Sequence, residues 1–497
     1  MFLLLRLDAA TAATHYVDLN SMNPTYPFTT WSTAATNIQD GIDAATDGDQ
    51  VLVTNGVYNS GSRIAGDGSI NRVVVTNAMT VQSVNGWVTA TIDGGHAMRC
   101  VYLTYGAILK GFTLTNGTAG GGDGGAANCI HTNLNLPSNA LVSDCLVISN
   151  SSGYGGGIAF CTASNCLITC NKSSGSGGGA GYCILNNCVL CSNSAGFYGG
   201  GASGGISILN NCVVFRNSAA SSSGKGGGVF GSTLNNCLVV SNTCGSGIGG
   251  GGTAGCTLNN CVVVGNVGFY GAFFDGGSPF TNVNNSIICY NSGGLNWLGL
   301  TMTNSCTTPM PPGRDNITNA PLFANLTAND FHLTAASPCI NAGKNAPIIY
   351  PTDLDGNPRI IAGTVDIGAY EFQSPTSILS YAWAQQYGLP TDGSADFADI
   401  DSDGMNNWQE WIAGTDPTNR ASVLIMLSLS NSVSGVIASW QSVTNRTYFL
   451  QRSGDLGLQP SFSIIQSNIS GRKGTKTYTD TNAVGYGPYF YRVGVQQ

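Results

Sequence analysis

The chain has 497 residues, of which 69 are glycine and 9% are charged. Glutamate occurs only as Glu371 and Glu410, which excludes helical bundles and coiled coils, because exposed helices favour Glu and Lys. A formal net charge of -8, with 18 Lys and Arg residues spread thinly, provides no basic patch for nucleic acid. The sequence contains no run of 18 apolar residues, so no transmembrane segment is predicted. We therefore expect a repetitive, strand-rich protein.

The N-terminus has features of a secretory signal. Met1 to Leu5 is apolar, and the small residues Ala9 to Ala13 include Ala10-Thr11-Ala12, which resembles a cleavage site. A basic region before the apolar run is missing. Residues 1–14 are therefore interpreted as the remnant of a signal peptide, with a disordered leader as the alternative. A signal peptide predicts a secreted or cell-surface protein.

The first predicted element after this segment is a helix. Asn37 to Ala45 has apolar residues at helical spacing, and the strand-like runs Gln50 to Thr54 and Arg72 to Thr76 follow. A helix at this place would cap the first coil of a solenoid and cover its open strand edge.

A repeat follows, marked by a cysteine, a short apolar run and, five residues after the cysteine, an asparagine. Successive cysteines are 21 to 25 residues apart, which is a solenoid period, and a glycine run precedes the next cysteine. The cysteines are Cys145, Cys166, Cys188, Cys212, Cys237 and Cys261, and Ser286 takes the next place. The asparagines are Asn150, Asn171, Asn193, Asn217, Asn242, Asn266 and Asn291.

Each unit is interpreted as short strands joined by glycine-rich corners, because its apolar runs are short and β-branched, as in Cys261 to Val264. Stacked units pair strand with strand in parallel, which predicts a right-handed parallel β-helix. The cysteines are then small buried residues, and the asparagines form a ladder of side-chain amides at a bend. Disulfides, or a zinc site at Cys188 and Cys191, are the alternatives.

The residue before each glycine run is a candidate for carbohydrate binding. Tyr154, Tyr198, Lys225 and Tyr270 take this place, with Ser176 between the first two. They predict a stripe along one corner with tyrosines about 10 Å apart, on which sugar rings could stack. The alternative is that the tyrosines shield bare glycine backbone.

Strings at both ends of this region resemble secreted bacterial β-helix proteins of the pectate-lyase-like superfamily. Asp49 to Val53 and Gly111 to Asn116 are similar to the opening of these proteins, and Ser337 to Gly343 and Val365 to Phe372 to their closing module. The resemblance covers residues 15–372. It implies the β-helix architecture and says little about activity.

The superfamily's lyases need a base such as Lys or Arg and a cation, and its hydrolases need clustered aspartates. Lys172, Arg216 and Lys225 lie in neighbouring repeats and are candidates for a base and an anion clamp, with solvated surface charges as the alternative. Upstream, the segment Asp93 to Arg99, which includes His96, is the densest candidate, with a turn as the alternative. No catalytic residue is assigned.

A loop near the C-terminus predicts a calcium site. Residues 399–410 are acidic at positions 1, 3, 5 and 12 and have Gly404 at position 6, as in an EF-hand loop. Oxygen ligands in this number favour Ca²⁺ over Mg²⁺, and a solvated acidic turn is the alternative. The predicted ligands are the carboxylates of Asp399, Asp401, Asp403 and Glu410, the carbonyl of Met405, and Asn407 directly or through water.

With Gly414 to Pro417, this loop resembles the single calcium loops of dockerin-like and thrombospondin type 3 repeats. A paired dockerin would need a second loop, and Asp392 to Asp396 lacks the spacing. One unpaired loop implies a structural ion that folds and stiffens a joint between domains.

From Ser422 onward the pattern changes to alternating strands. Val436 to Trp440, Thr447 to Ser453 and Tyr489 to Val495 predict a small β-sandwich that resembles fibronectin type III domains. Trp440 is expected in its core. A domain of this kind implies a role in spacing, displaying or anchoring the rest of the protein.

Together these features predict an all-β protein. A capped right-handed parallel β-helix spans 15–372, a linker with the calcium loop 373–420, and a β-sandwich 421–497. The favoured function is a secreted or cell-surface calcium-binding protein that binds polysaccharide or serves as an adhesive or scaffolding element, without catalysis. The alternative is a polysaccharide lyase or glycosidase. The fold resemblance favours the enzyme, and the sparse charges of the repeats favour the binder.

Overall fold

The computed structural model describes residues 12–129, 139–245, 249–274, 282–346, 348, 350–457, 461–483 and 487–496. The signal predicted at Met1 to Leu5 and at Ala10-Thr11 therefore lies outside the described residues. The described chain forms two compact units. The first comprises the residues up to Asn319 with those of Ala346–Arg359 and Ile367–Glu371, and the second those of Ala320–Asn345, Ile360–Asp366 and Phe372–Gln497.

The first unit is the predicted parallel β-helix. In each regular coil the chain passes through four sheets, named sheets 1 to 4 in that order, and each strand pairs in parallel with those one coil away. The exception is Arg63–Ile64, which pairs antiparallel with Ile70–Val75.

The strands of each sheet are as follows. Sheet 1 has 13 strands, Thr14–Val17, Gln50–Val53, Thr80–Ser83, Ile108–Lys110, Leu141–Ser143, Thr162–Ser164, Ile184–Asn186, Ile208–Asn210, Thr233–Asn235, Thr257–Asn259, Val283–Asn284, Met302–Thr303 and Gly313–Arg314. Sheet 2 has 11, Gly56–Tyr58, Ala90–Asp93, Thr113–Thr115, Leu146–Ile148, Leu167–Thr169, Val189–Cys191, Val213–Phe215, Leu238–Val240, Val262–Val264, Ile287–Cys289 and Cys306–Thr307. Sheet 3 has five, Ser151–Ser152, Lys172–Ser173, Ser194–Ala195, Ser218–Ala219 and Thr243–Cys244. Sheet 4 has 11, Arg63–Ile64, Ile70–Val75, Arg99–Leu103, Ala127–Cys129, Ile158–Ala159, Ala180–Gly181, Ala202–Ser203, Val229–Phe230, Thr253–Ala254, Phe273–Phe274 and Trp297–Leu298.

The corner between sheets 1 and 2 explains the recurrent Asn-Cys pairs. Asn165, Asn187 and Asn211 have φ values of 54°, 52° and 52°, a left-handed conformation that asparagine tolerates better than most residues. The cysteine that follows each, such as Cys188 or Cys212, is buried in the solenoid core. The sequence therefore predicts the buried cysteine, and the structure adds the reason for the asparagine before it.

The corner between sheets 2 and 3 carries the predicted ladder of asparagine amides. Nδ2 of Asn171 donates to Oδ1 of Asn193 at 3.0 Å, and Nδ2 of Asn193 donates to Oδ1 of Asn217 at 2.9 Å. The same contact continues to Asn242, Asn266 and Asn291, each at 3.0 Å. Each amide therefore satisfies its neighbour in the next coil.

The predicted cap is the helix Ile38–Ala44, and a 3-10 turn, Trp31–Thr33, precedes it. Asn37 caps the helix by accepting from the Asp40 N–H at 2.9 Å. A Cβ at Gly41 would lie 2.7 Å from Cγ2 of Val17, so glycine permits the helix to pack closely on the first coil. The helix therefore covers the open end of the core.

The second unit is a mixed segment followed by a β-sandwich. The segment holds the hairpin Phe323–Asn325 with Asp330–Leu333, the 3-10 turn Leu326–Ala328, and the helices Tyr381–Gln386 and Asn407–Ala413. The sandwich has one sheet of Met426–Ser432, Gly435–Ser442 and Gly474–Asp480, and another of Ser463–Ser470, Thr447–Ser453 and Phe490–Gln496. Trp440 is fully buried between them against Tyr448, as expected for a core residue. Among the described residues, no helix is long and apolar enough to span a bilayer.

Candidate functional site

The loop at 399–410 gathers carboxylates at one point. One carboxylate oxygen each from Asp399, Asp401 and Asp403 lies within 4.8 Å of the others. The backbone turns beneath them, since the Gly404 N–H donates to Oδ2 of Asp399 at 3.0 Å and Gly404 has a φ of +96°. A side chain at that φ would be strained, so glycine is required for this turn.

The helix Asn407–Ala413 brings the later candidate ligands to the same loop. Asn406 and Gln409 form a capping box at its start, which fixes the direction in which the helix leaves the loop. Asn407 and Glu410, in its first turn, are fully buried. Nδ2 of Asn407 donates to the Ala395 carbonyl at 2.8 Å, which leaves its Oδ1 for another partner.

Four side-chain oxygens in this loop are buried and lack a hydrogen-bond partner: Oδ2 of Asp401, Oδ2 of Asp403, Oδ1 of Asn407 and Oε2 of Glu410. Burial, with the nearby charges of Asp401 and Asp403, raises the pKa of Glu410 to about 7. Buried oxygens normally have partners, and an all-oxygen set of this charge suits a hard cation. These side chains are therefore the residues that could hold a metal ion.

The loop is tied to the sandwich of its own unit. Nε of Arg446 donates to the Ile412 carbonyl at 3.1 Å, and Nη2 to the Trp411 carbonyl at 3.3 Å, at the C-terminal end of the helix Asn407–Ala413. The Leu424 N–H lies 3.4 Å from Sδ of Met405. Order in the loop is therefore coupled to the sandwich through these contacts.

The predicted carbohydrate residues occupy successive coils. Backbone N–H groups of one coil donate to the carbonyls of Tyr154, Ser176, Tyr198 and Lys225 in the next, which confirms their register. Tyr154 is half-buried, and its hydroxyl donates to the carbonyl and Oγ of Ser203 at 3.3 Å. Burial raises its pKa.

The ring of Tyr154 lies over backbone, because a Cβ at Gly181 would lie 2.4 Å from its Cε1. Tyr154 therefore shields bare glycine, as the alternative interpretation of the tyrosines expects. Tyr270 is half-buried and contacts Phe269 edge to face, with ring centroids 4.9 Å apart. A carbohydrate role for these residues stays a prediction.

Three aromatic residues that were not predicted from the sequence lie beside these tyrosines. Phe160 stacks on Tyr182 with centroids 5.3 Å apart, and Tyr182 stacks on Tyr154 at 5.0 Å. Phe230 stacks on Tyr198 at 4.6 Å. The recurrence of an aromatic residue 22 positions apart, at 160 and 182, was the available signal. These five residues, with Phe197, which is 48% exposed, are called the aromatic surface.

The upstream catalytic candidate, the segment Asp93 to Arg99, forms a hydrogen-bonded turn. Oδ1 of Asp93 accepts from the Gly95 N–H at 2.8 Å, and both Asp93 oxygens accept from Nδ2 of Asn116. Arg99 is buried and donates to the Gly124 carbonyl at 2.8 Å and to Oδ1 of Asn71 at 2.9 Å. The structure thus accounts for Asp93 and Arg99 by packing, while His96 is exposed.

The three cations of the repeats lie at different positions of the coil. Lys172 is exposed in sheet 3, and Arg216 is exposed at the corner before that sheet, two coils further on. Lys225 lies at the later corner, in register with Tyr198. The geometry therefore does not bring them together.

The six cysteines that mark the repeat are buried, as predicted, and other cysteines of the chain depart from the interpretation as buried free thiols. Cys129 and Cys161 form a disulfide, so these two are bonded rather than free. Cys188 is buried whereas Cys191 is half-buried. Among the described residues, the metal-competent group of three or more acidic, His or Cys side chains is the aspartate group of the loop, and it contains no cysteine.

No family model matches this chain, and no curated protein matches it. The crystal structure of pectate lyase Pel9A has a TM-score of 0.46 and 15% identity, covering 73% of this chain and 97% of that chain. A rhamnogalacturonan lyase has a TM-score of 0.40 and 12% identity, covering 70% and 95%. Tailspike protein 2 from Escherichia coli O157:H7 bacteriophage CAB120 has a TM-score of 0.22 and 8% identity, covering 97% and 65%. The first unit has the parallel β-helix fold that the sequence predicts.

Proposed function

We propose that this chain is an extracellular calcium-binding β-helix protein that recognises polysaccharide. The calcium site carries the proposal, and the observation behind it is the set of four buried oxygens without partners in the loop 399–410. A Ca²⁺ ion would supply a partner for each and offset the repulsion among Asp399, Asp401, Asp403 and Glu410. Asn407 and the Met405 carbonyl complete the proposed ligand set. The ion would act in folding, because Arg446 links the loop to the sandwich.

Calcium titration of the full chain by calorimetry tests this site. We expect one ion per chain, and we expect chelation to expose the segment 373–420 to proteolysis. The variant Asp401→Asn, which keeps the shape of a ligand side chain, should lose binding. Asp392→Asn, an acidic residue of the same unit outside the loop, should bind normally. Equal cleavage with and without chelator, together with no heat of binding, would exclude the site.

The aromatic surface supports polysaccharide as the ligand. Its rings lie in adjacent coils, Phe197 is about half exposed, and sugar rings stack on aromatic faces. Cleavage of the polysaccharide is the second candidate. It agrees with the activities for which the two lyase structures are named, whereas an adhesive role has no such counterpart. Because Lys172, Arg216 and Lys225 lie apart, we assign no catalytic residue.

One assay distinguishes binding from cleavage. The protein is incubated with acidic and neutral polysaccharides, and retention, unsaturated-uronate absorbance and reducing ends are followed. Replacing Phe197 and Tyr198 by Ala should weaken retention about tenfold. Tyr105→Ala, at an exposed tyrosine outside the aromatic surface, is the control. New reducing ends would establish cleavage, and unchanged retention by the double variant would remove the aromatic surface as the binding site.

A further inference from the structure

We propose that Cys170 and Cys191 form a surface thiol pair that closes to a disulfide between neighbouring coils. Most free cysteines of the described residues are buried in the solenoid, whereas Cys170 is exposed and Cys191 is half-buried. Cys191 ends a strand of sheet 2, and Cys170 directly follows the strand one coil before it. The pair would be a second covalent link between coils, in addition to the one between Cys129 and Cys161.

Both thiols face the same hydroxyl group. Sγ of Cys191 donates to Oγ1 of Thr169 at 3.1 Å, and Sγ of Cys170 lies 3.5 Å from that oxygen. The Cys170 N–H donates to the Cys191 carbonyl at 3.3 Å, so the two backbones are in contact. Strands about 4.8 Å apart with a rise of about 3.3 Å place such a diagonal Cα pair about 6 Å apart, within the range of a disulfide. Closure requires the Thr169 side chain to rotate away from its contacts with the two sulfurs.

The interior cysteines are poor competitors for this reaction, because they are buried in the core and an oxidant in solution does not reach them. Burial raises the pKa of the Cys183 and Cys256 thiols to about 12, and the thiolate is the reactive form. Sγ of Cys212 donates to the Asn210 carbonyl at 3.2 Å, so an interior thiol also serves the backbone. An oxidant therefore reaches the surface pair first.

Closure proceeds by exchange with a low-molecular-weight disulfide such as glutathione disulfide. The Cys170 thiolate attacks one sulfur, the S–S bond of the reagent breaks, and one glutathione thiolate leaves. The Cys191 thiolate then attacks the Cys170 sulfur of the mixed disulfide and releases the second glutathione thiolate. The two protein protons pass to these thiolates, so the protein pair is oxidised and one glutathione disulfide is reduced to two glutathiones.

The test treats the folded full chain with glutathione disulfide, alkylates the remaining thiols in denaturant and digests without reduction. Trypsin cleaves after Lys172, between the two cysteines, so the new disulfide joins peptide 111–172 to peptide 173–216. We expect this linked species in the wild type and in Cys244→Ser, which alters another partly exposed cysteine. It should be absent from Cys170→Ser and from Cys191→Ser.

Two results would overturn the proposal. A link that persists in both single variants would come from the interior cysteines. Stable glutathione adducts on Cys170 and Cys191, without a linked peptide, would show that the thiols cannot reach each other. The Cys129–Cys161 link in each variant reports that the solenoid has folded, so a misfolded variant is recognised.

Discussion

The asparagine ladder and the loop at 399–410 both bury side-chain oxygens, and they differ in whether those oxygens have hydrogen-bond partners. In the ladder, Oδ1 of Asn217 accepts from both the N–H and the Nδ2 of Asn193, at 2.9 Å each. In the loop, Oε2 of Glu410 and Oδ1 of Asn407 are equally buried and have no partner. A repeat supplies its own partners from the next coil, whereas a loop that occurs once cannot. The complete pairing of the ladder fits a structural array, and the missing partners in the loop are the basis for the proposed ion.

The pKa values of two carboxylates, Asp49 and Glu410, are shifted in opposite directions. Asp49, beside the cap, accepts from the N–H groups of Thr46 and Ala13, and these bonds lower its pKa to about 2. Glu410 is buried beside Asp401 and Asp403, and its pKa is raised to about 7. The fold stabilises the ionised form of the first carboxylate and destabilises that of the second, and the proposed cation would offset this destabilisation.

The largest effect is expected from breaking the ladder at its centre. Asn217→Ala would remove the acceptor of the Asn193 N–H and one of the two acceptors of its Nδ2, and it would remove one donor each to the carbonyls of Leu190 and Phe215. Because each buried unsatisfied group costs about 1–3 kcal/mol, we expect the free energy of unfolding to fall by about 4 kcal/mol. Denaturant unfolding of the full chain, followed by circular dichroism, measures it.

The control for this variant is Asn186→Ala. Asn186 is half-buried on the outer face of sheet 1, and its Oδ1 accepts from Nδ2 of Asn210 at 2.9 Å. Asn186→Ala should lower the free energy of unfolding by about 1 kcal/mol, because water can replace the Asn186 Oδ1 as the acceptor for Asn210. Equal losses for the two variants would mean that the inner ladder contributes no more than an exposed amide pair.

A change of Glu410 to Gln should have opposite effects with and without calcium. In chelator, the variant removes a buried charge beside Asp401 and Asp403, and we expect it to gain about 1 kcal/mol of stability. In calcium at about 100 times the dissociation constant, it should lose about 2 kcal/mol relative to wild type, because it no longer gains from the ion. Thermal denaturation of the full chain in both conditions measures the change of sign.

Asp392→Asn removes the same charge outside the loop, and the difference between this variant and wild type should be the same in chelator and in calcium. A Glu410→Gln variant that is less stable than wild type in chelator would contradict the claim that its charge is unpaired in the folded protein.

Much of this contrast could be predicted from sequence, because both the asparagine ladder and the loop at 399–410 depend on regular spacing of residues along the chain. The period of 21 to 25 residues gives the β-helix and the asparagine ladder, and the positions of Asp399 to Glu410 give the loop. What sequence could not give depends on three-dimensional neighbours. Phe160 and Tyr182 become one surface only after coils stack, and Arg446 meets the helix Asn407–Ala413 across more than thirty residues of chain.

The smallest expected effect belongs to Asp49, and it follows from the sign of its pKa shift. Because the folded state holds the pKa near 2, below the ordinary value of 3.8, the ionised Asp49 stabilises the fold at neutral pH. This contribution is present above about pH 4 and is lost as the pH falls toward 2. Asp49→Asn would place an amide where Oδ2 accepts from the Thr46 N–H at 2.7 Å, so we expect a loss of about 1 kcal/mol at pH 7. The difference between variant and wild type should shrink as unfolding is measured at successively lower pH. A difference that stays constant down to pH 2 would mean that geometry rather than charge makes Asp49 stabilising, and the carboxylate would then no longer contrast with Glu410.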